Sequence, residues 1–342
     1  MAGNFRVAVS SDILDTRGEP AFGREPLKAL DAAAGLEWEW LPKGIREITP
    51  ELAAAYDAIY INSPRVPAGA VVRADCRVKL FARHGVGYDS VDVAAMSKAG
   101  VLVCNTPNAV PRPVATIALT FILALAHRLF VKDRLTREGR WPERLDHMGM
   151  GLTGRTLGVV GAGRIGKELL RMARVFDLKL LAADPYAEAL ELGYIGARKV
   201  PLDEVMAESD FIVVTCLLNE ETRHLVGAKQ LSRMKPSAYL INVARGPVVD
   251  EKALYETLAA RRIAGAGLDV FEEEPTPASN PILKLDNVIV TPHALCWTDE
   301  LFGNIARTAI GAIVAVHEGR RPELVVNPEA LAHPRARAWL RA

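Results

Sequence analysis

The stretch TLGVVGAGRIGKELLRMA (residues 156–173) decides how this chain folds. An apolar run leads into the spacing Gly161-x-Gly163-x-x-Gly166, and helix-forming residues continue from there. In a strand–turn–helix of this kind, the first glycine permits the tight turn and the second lets the backbone approach a pyrophosphate. The third allows the helix to pack closely on the strand, while the N–H groups of its first turn bind phosphate. The stretch therefore predicts a dinucleotide site.

The next apolar run, LKLLAAD, supports this prediction and favours NAD over NADP. It ends at Asp184, eighteen residues after Gly166. A carboxylate at this point accepts hydrogen bonds from the ribose hydroxyls of the adenosine and repels a 2′-phosphate. The alternative interpretation is a structural turn followed by an unrelated surface aspartate, and the joint context disfavours it.

Short apolar runs alternate with helical patterns along the chain, which is typical of βαβ units and parallel sheets. A strongly apolar helix is expected from Pro113 to Val131 and a second helix from Glu300 to His317. The tail after residue 326 is either an ordered arm or a frayed end. The predicted strands are FRVAVS, YDAIYINS, VKLFARHG and VLVCNTP in the first part, then TLGVVG, LKLLAAD, FIVVTC, AYLINV, GAGLDV and NVIVTP.

Composition excludes several classes of protein. A length of 342 residues suggests two domains, and a formal net charge of +1 provides no large field to attract nucleic acid or an anionic membrane, although a local basic patch stays open. The longest apolar stretch, residues 114–126, is too short to cross a bilayer, and the N-terminus lacks the apolar core of a signal peptide. The cysteines are scattered and predict neither disulfides nor a metal site, so a cytoplasmic protein without nucleic-acid or membrane partners is expected.

Polar side chains follow three later strands that are otherwise apolar. Arg245 follows AYLINV, Asp269 and then Glu274 follow the next strand, and His293 follows NVIVTP. Because ligands bind beyond the carboxyl ends of strands in open parallel sheets, these side chains are expected to converge on the cofactor. Each has another interpretation when taken alone: a surface ion pair for Arg245, a solvated acidic run for Glu274 and a structural histidine for His293.

Together these residue types suit hydride transfer between a nicotinamide and a small 2-keto or 2-hydroxy acid. Reducing a ketone requires a proton for the developing alkoxide, and histidine supplies one readily because its unperturbed pKa is about 6.5. A neighbouring carboxylate holds the histidine tautomer and favours its protonated form. An arginine fork binds the substrate carboxylate and polarises the carbonyl. We therefore assign catalysis to Arg245, Glu274 and His293.

Several long motifs in order resemble the D-isomer-specific 2-hydroxyacid dehydrogenases. That family includes phosphoglycerate dehydrogenases, glyoxylate/hydroxypyruvate reductases, and D-lactate and formate dehydrogenases. The motifs cover most of the chain: RHGVGYDSVD (83–92), NTPNAV (105–110), the GAGRIG loop, TCLLNEETRHL (215–225), INVARGPVVDE (241–251), GLDVFEEEP (267–275) and TPH (291–293).

The resemblance implies an α/β fold of two Rossmann-like lobes with a cleft between them. A flavodoxin-like substrate-binding lobe would comprise residues 1–107 plus 298–342, and a doubly wound NAD-binding lobe residues 108–297. The resemblance also implies a homodimer, with the long helix after NTP in the interface. It marks Val86 and Gly87 as a backbone site for the substrate carboxylate, together with Arg245. The cofactor residues that it implies are Gly161, Gly163, Arg164, Ile165 and Gly166 at the pyrophosphate, Asp184 at the ribose, and Cys216, Val243, Ala244 and Asp269 along the nicotinamide half.

Two departures from the family pattern leave the substrate open. Thr116 stands where the family commonly has glutamate, and Ala-Leu-Cys-Trp follows TPH where small residues are usual, which places Trp297 near the expected substrate. Two other functions stay open as well. One is an NAD-binding corepressor or scaffold of the same fold with little turnover, and the other is oxidation of formate or phosphite on the same scaffold.

Overall fold

The computed structural model of the chain describes residues 4–340. Within it the chain divides into two compact units. The first combines the chain up to Val110 with the chain from Trp297 onward, and the second runs from Pro111 to Cys296.

The first unit is built on a parallel sheet with the strand order β2-β1-β3-β4-β5. This is the flavodoxin-like order, in which the second strand lies at one edge and the chain then proceeds across the sheet. The central strands are almost fully buried because helices cover both faces of such a sheet. The strands are β1 (Phe5–Val9), β2 (Leu36–Trp40), β3 (Ala58–Ile61), β4 (Leu80–Arg83) and β5 (Leu102–Cys104).

The second unit contains a parallel sheet with the order β12-β11-β10-β9-β6-β7-β8. Read from β8, this is the doubly wound dinucleotide-binding order with one additional strand, so the predicted α/β fold class is confirmed. The strand order reverses between β6 and β9, and ligands bind at such a point. The strands are β6 (Thr156–Val160), β7 (Lys179–Ala183), β8 (Ala197–Lys199), β9 (Phe211–Val214), β10 (Tyr239–Asn242), β11 (Gly265–Leu268) and β12 (Val288–Val290).

Two edge strands, β2 and β8, were missing from the sequence prediction. The prediction relied on apolar runs, which only strands buried on both faces show. β2 reads LEWEW and alternates between half-buried and exposed residues, while β8 reads ARK and exposes two of its three residues. The exposed polar residues in these two edge strands therefore explain both omissions.

The helices connect the strands and cover the sheets. Among residues 4–340 the α-helices are α1 (Lys28–Asp31), α2 (Pro50–Ala55), α3 (Val93–Lys98), α4 (Pro111–Ala126), α5 (Leu129–Arg137), α6 (Arg164–Ala173), α7 (Ala189–Ile195), α8 (Leu202–Glu208), α9 (Ala228–Leu231), α10 (Glu251–Ala259), α11 (Asp299–His317) and α12 (Pro334–Arg337). Over the same residues the 3-10 helices are Ser11–Ile13, Glu25–Leu27, Ala68–Val71, Trp141–His147, Arg174–Phe176, Gly246–Val248, Pro281–Lys284 and Pro328–Ala332.

Helix α4 is the buried apolar helix expected from the sequence, but it is shorter than predicted. It ends at Ala126 instead of continuing to Val131, because Arg128 adopts a left-handed backbone conformation (φ 53°) and α5 begins after it. In the part of the chain that the structure describes, no single helix is long and apolar enough to cross a membrane. α4 and α5 meet the length and composition criteria only as a pair, bent by 56°.

The C-terminal tail is an ordered arm that packs on the first unit as far as residue 340. Asn327 is buried, its side-chain oxygen accepts from the N–H of Val103, and its amide donates to the carbonyl of Val101. The guanidinium of Arg335 donates to the carbonyls of Cys76 and Val78. These bonds satisfy backbone groups beside β4 and β5 that would otherwise face solvent.

Candidate active site

The glycine loop after β6 leaves no room for side chains at two of its three glycines. Gly161 has φ +95°, and a Cβ there would lie 2.5 Å from the backbone nitrogen of Cys216. A Cβ on Gly166 would lie 2.2 Å from the carbonyl oxygen of Gly161. At Gly163, by contrast, an added Cβ meets nothing within 4 Å. The loop is therefore closely packed at Gly161 and Gly166 and open at Gly163.

The open side of this loop coincides with the N-terminus of α6. Gly163 is the N-cap residue, and having no side chain it provides no capping side-chain hydrogen bond to the first turn of the helix. Arg164 and Ile165 form its first turn, the former exposed and the latter half-buried. A pyrophosphate fits this cradle sterically and electrostatically, because it carries negative charge and needs close backbone approach.

Asp184 follows β7 and is held by backbone donors. One carboxylate oxygen accepts from the N–H of Ala162 at 2.8 Å. The other accepts from Tyr186 at 2.8 Å and from Ala187 at 3.2 Å. A carboxylate offers about four lone-pair sites, so Asp184 can still accept from a ribose hydroxyl. These bonds fix it beside the glycine loop, where a ribose attached to the pyrophosphate would lie.

The other side of the glycine loop is formed by residues after β9 and β10. Cys216 is half-buried; burial, with the charge of Asp184 adding to it, raises the pKa of its thiol to about 11, so the thiol stays protonated at neutral pH. Val243 and Ala244 are buried. The side-chain oxygen of Asn242 accepts from the N–H of Ala244, and its amide donates to the carbonyl of Arg245. Asn242 therefore sets the turn from which Arg245 projects.

A close backbone contact places Arg245 beside Glu274. A Cβ on Gly246 would lie 1.9 Å from the carbonyl carbon of Phe271, so only glycine lets the two loops approach this far. Glu274 lies three residues beyond Phe271, and the charge of Arg245 acts on its carboxyl. In the sequence, Gly246 is only one residue of the motif INVARGPVVDE, and its close packing against Phe271 was not predicted.

Glu274 and His293 form a hydrogen-bonded pair. Nδ1 of His293 lies 2.8 Å from one carboxylate oxygen of Glu274, and the other oxygen accepts from the N–H of Phe271 at 3.0 Å. Partial burial acts to raise the pKa of Glu274, but His293, the Phe271 N–H and the Arg245 charge outweigh it and hold that pKa below its ordinary value. Glu274 is therefore ionised at neutral pH, and Nε2 is the ring atom of His293 left to meet a substrate.

Asp269 holds the loop that carries His293. It is only 2% exposed, and one of its oxygens accepts from the Thr291 hydroxyl and from the N–H groups of Ala294 and Leu295. His293 itself adopts a left-handed backbone conformation (φ 54°) that is uncommon for residues other than glycine. Such conformations persist where the surroundings fix them, and here Asp269 does so from both sides of the histidine.

Val86 and Gly87 lie in the first unit, in the loop after β4. The side-chain amide of Asn105 donates to the carbonyl of Val86 at 2.9 Å, and the N–H of Thr106 donates to the carbonyl of Gly85. Both residues are half-buried. The NTP segment therefore fixes the shape of this loop by bonding to its carbonyl groups, and it does not use the N–H groups of Val86 and Gly87.

Several residues of the site were not assigned from the sequence. Asn242 and Thr291 order the loops of Arg245 and His293, and the only signal for them was a polar residue at the end of an apolar strand. Cys296 is close enough to Asp269 and Arg245 for both charges to act on its thiol, whose pKa burial raises to about 11. Across residues 4–340, no cluster of three or more histidine, cysteine, aspartate or glutamate side chains could hold a metal ion.

Comparisons with known proteins show the family to which the chain belongs. Residues 119–294 match the family model of the D-isomer specific 2-hydroxyacid dehydrogenase NAD binding domain. A glyoxylate reductase from Korarchaeum cryptofilum is 40% identical over 264 residues, which are 76% of this chain and 80% of that protein. A D-3-phosphoglycerate dehydrogenase from Archaeoglobus fulgidus is 36% identical over 86% of this chain, but the match spans only 55% of its own length.

A solved structure extends the match to nearly the whole fold. The crystal structure of D-lactate dehydrogenase from Aquifex aeolicus, complexed with NAD and lactic acid, has a TM-score of 0.78 at 27% identity and covers 94% of this chain and 99% of that chain. The resemblance seen in the sequence motifs is thus confirmed. The chain belongs to the D-isomer specific 2-hydroxyacid dehydrogenase family and is an NAD-dependent oxidoreductase.

Proposed function

We propose that this enzyme interconverts a small 2-keto acid and its D-2-hydroxy acid, with Arg245, Glu274 and His293 as its catalytic residues. The observation that carries the proposal is the 2.8 Å bond between His293 Nδ1 and Glu274, with Arg245 beside the same carboxylate. Arg245, Glu274 and His293 follow β10, β11 and β12, three strands in a row in the sheet, which supports a carboxylate-binding group and an acid–base group in one site. A 2-keto acid requires both.

Arg245 is the substrate-orienting residue. Its guanidinium offers several N–H donors in one plane, which match a carboxylate and the carbonyl next to it. One of them, on Nη1, donates to the carbonyl of Ala244 at 2.8 Å, so the guanidinium is held against the backbone of its own loop. Val86 and Gly87, in the first unit, stay predicted as a backbone site for a substrate carboxylate. A carboxylate held on the planar guanidinium of Arg245 gives the adjacent carbonyl a fixed direction.

His293 is the acid–base residue, and Glu274 is its positioning partner. When bound, NADH supplies hydride to the carbonyl carbon, and NAD⁺ accepts hydride in the reverse direction. Nε2 of His293 donates a proton to the developing alkoxide during reduction and accepts it during oxidation. Glu274 fixes the ring through Nδ1, so Nε2 keeps one direction toward the substrate.

For the cofactor we propose Gly161, Gly163, Gly166, Arg164 and Ile165 at the pyrophosphate and Asp184 at the adenosine ribose. Cys216, Val243, Ala244 and Asp269 then border the nicotinamide half. The steric cradle at the glycines and the fixed carboxylate of Asp184 support this placement. Because Asp184 repels a 2′-phosphate, we expect NADH to be preferred over NADPH.

Among 2-keto acids we propose glyoxylate and its small homologues as substrates. The support is the 40% identity with a relative named glyoxylate reductase. A panel of glyoxylate, hydroxypyruvate and pyruvate with NADH and NADPH tests the proposal. We expect saturable NADH oxidation with at least one acid and slower turnover with NADPH. NADH binding without turnover of any acid would contradict catalysis and favour a scaffold role.

We further propose that the protein is a cytoplasmic homodimer. Large apolar side chains that expose more than half of their surface cluster in and after α5: Leu129, Phe130, Trp141, Leu145 and Met148. Such a cluster is typical of a protein interface. Size-exclusion chromatography with light scattering should give a molar mass twice that of the chain. The substitution Leu145→Glu should reduce this molar mass to that of the monomer. The free cysteines suit a reducing compartment.

A further inference from the structure

Two loops flank the glycine loop, one on each side, where the pyrophosphate and adenosine of NAD would lie. Because β6 lies between β9 and β7 in the sheet, the loops after β7 and after β9 stand on either side of the glycine loop. Their strands are about 10 Å apart, twice the spacing of neighbouring strands. A nucleoside held over the glycine loop and Asp184 therefore lies between these two loops.

The loop after β7 has a fixed backbone. Besides the N–H groups that Asp184 accepts, the ammonium of Lys199 donates to the carbonyls of Pro185 and Ala187, at 3.2 and 2.7 Å. From this backbone the side chain of Tyr186 projects outward and is 78% exposed. The ring is thus presented on a rigid base.

The loop after β9 is also internally braced. The N–H of Asn219 donates to the hydroxyl of Thr222, the N–H of Thr222 donates back to the side-chain oxygen of Asn219, and the same hydroxyl donates to the carbonyl of Leu217. Glu221 stands at the tip of this loop. Leu217 is a large apolar residue that remains half-exposed at its base.

A single hydrogen bond joins the two loops. The hydroxyl of Tyr186 donates to a carboxylate oxygen of Glu221 at 2.9 Å. Both side chains are exposed, so water competes for the bond and it opens readily. The bond to Glu221, followed by the charges of Glu221 and Asp184, raises the pKa of Tyr186, so the phenol remains a donor throughout the neutral range.

We propose that Tyr186 and Glu221 form a clasp over the adenosine half of NAD, which opens for each entry and each release of the cofactor. The inference rests on the proposed placement of NAD, with its pyrophosphate at Gly163 and its ribose at Asp184. The base then lies beyond the ribose, against Tyr186 and Leu217, whose exposed apolar surfaces suit the flat faces of a purine. The clasp governs cofactor exchange and takes no part in hydride transfer.

Stopped-flow fluorescence of NADH with the full-length protein, in the absence of any 2-keto acid, tests the clasp. Tyr186→Phe and Glu221→Ala should each raise both the association and the dissociation rate constants by about threefold to tenfold, the range expected for one exposed hydrogen bond. The two rates should rise together, so Kd changes by less than about twofold. The double variant should be no faster than either single variant, because the same bond is lost. Glu221→Gln, which keeps an acceptor oxygen, should restore part of the slow exchange.

Matched controls are available in the same segments. Tyr194→Phe alters a tyrosine that is 80% exposed on α7, and Glu220→Ala alters the acid next to Glu221; neither should change the rates. Unchanged rates in Tyr186→Phe and Glu221→Ala would overturn the clasp. So would a rise in dissociation alone, since ordinary contacts with bound nucleotide produce that pattern. If the variants change the NADH rates as expected but the wild-type protein turns over no 2-keto acid, the proposed reaction is contradicted and the clasp proposal is not.

Discussion

The two halves of the second unit's binding edge are built in opposite ways. The half at β6 and β7 depends on missing side chains: Gly161 and Gly166 fit only because they have no Cβ, and Gly163 leaves open space. The half at β10 to β12 depends on side chains that hold other side chains, as Asp269 holds the loop of His293. The first half is specified by a short local motif. The second half requires residues that are far apart in sequence to lie in contact in the folded structure.

The largest expected effect is at the end of the side-chain network. His293→Ala should lower kcat for keto-acid reduction by about a hundredfold to ten-thousandfold, because the proton donor is lost. NADH affinity should stay within about twofold, since the cofactor half is untouched. Steady-state kinetics together with NADH titration measure both quantities. A variant with wild-type kcat would remove His293 from the mechanism.

The network behind His293 should matter next. Asp269→Asn keeps the size of the side chain but weakens the acceptor of three donors, so the His293 loop loses its fixed shape. A displacement of the acid by about 1 Å can cost up to a hundredfold, and we expect kcat to fall by about tenfold to a hundredfold. Thr291→Val removes one of the three donors and should have a smaller effect. Equal activity of Asp269→Asn and wild type would show that the His293 loop keeps its shape without the Asp269 carboxylate.

A pair of glycine variants contrasts the two halves directly. Gly246→Ala forces a methyl group into the backbone of Phe271, so it should cost about 1–3 kcal/mol of unfolding free energy and most of the activity. Gly163→Ala meets open space and should leave stability unchanged, while weakening NADH binding by about tenfold because the methyl group occupies the pyrophosphate approach. Denaturant unfolding and NADH titration separate the two outcomes. A loss of stability in Gly163→Ala would show that the space around Gly163 is not open.

The smallest effect is on pH dependence. Because the pKa of Glu274 in the folded state lies below its ordinary 4.5, its ionised form stabilises the fold above that pH, and this contribution is lost as the pH falls through the lower folded value. Glu274→Gln should therefore approach wild type in stability only under acidic conditions. Its kcat for keto-acid reduction should also fall, since the carboxylate that fixes the His293 ring through Nδ1 is lost. A wild-type kcat in Glu274→Gln would separate Glu274 from catalysis.

The sequence was sufficient for the parts of the molecule that are local or fully buried. The glycine loop, Asp184 and the central strands follow from spacing and apolar runs, and the order of polar strand ends correctly brought Glu274 to His293. The edge strands β2 and β8 were missed because exposed polar residues interrupt their apolar signal, whereas β5 and β12 are edge strands that keep one. The end of α4 was misplaced because nothing in the residue types marks Arg128 as left-handed.

The supporting residues of the site could not be predicted for a different reason. Asn242 acts through two bonds to backbone groups two and three residues away, and Gly246 acts through a contact with Phe271 on another loop. Such roles depend on distances that exist only after the strands are ordered in the sheet. A polar residue at a strand end signals a site, but not which neighbour it orders.

A crystal structure with NADH and oxamate, a non-reacting analogue of a 2-keto acid, would show directly how a substrate meets Arg245 and His293. We expect the carboxylate of oxamate on the guanidinium of Arg245 and its carbonyl oxygen within about 2.6–3.2 Å of Nε2 of His293. Glu274 should remain bonded to Nδ1, as it is here. Oxamate bound away from Arg245, or an imidazole whose Nε2 faces away from the carbonyl, would contradict the mechanism.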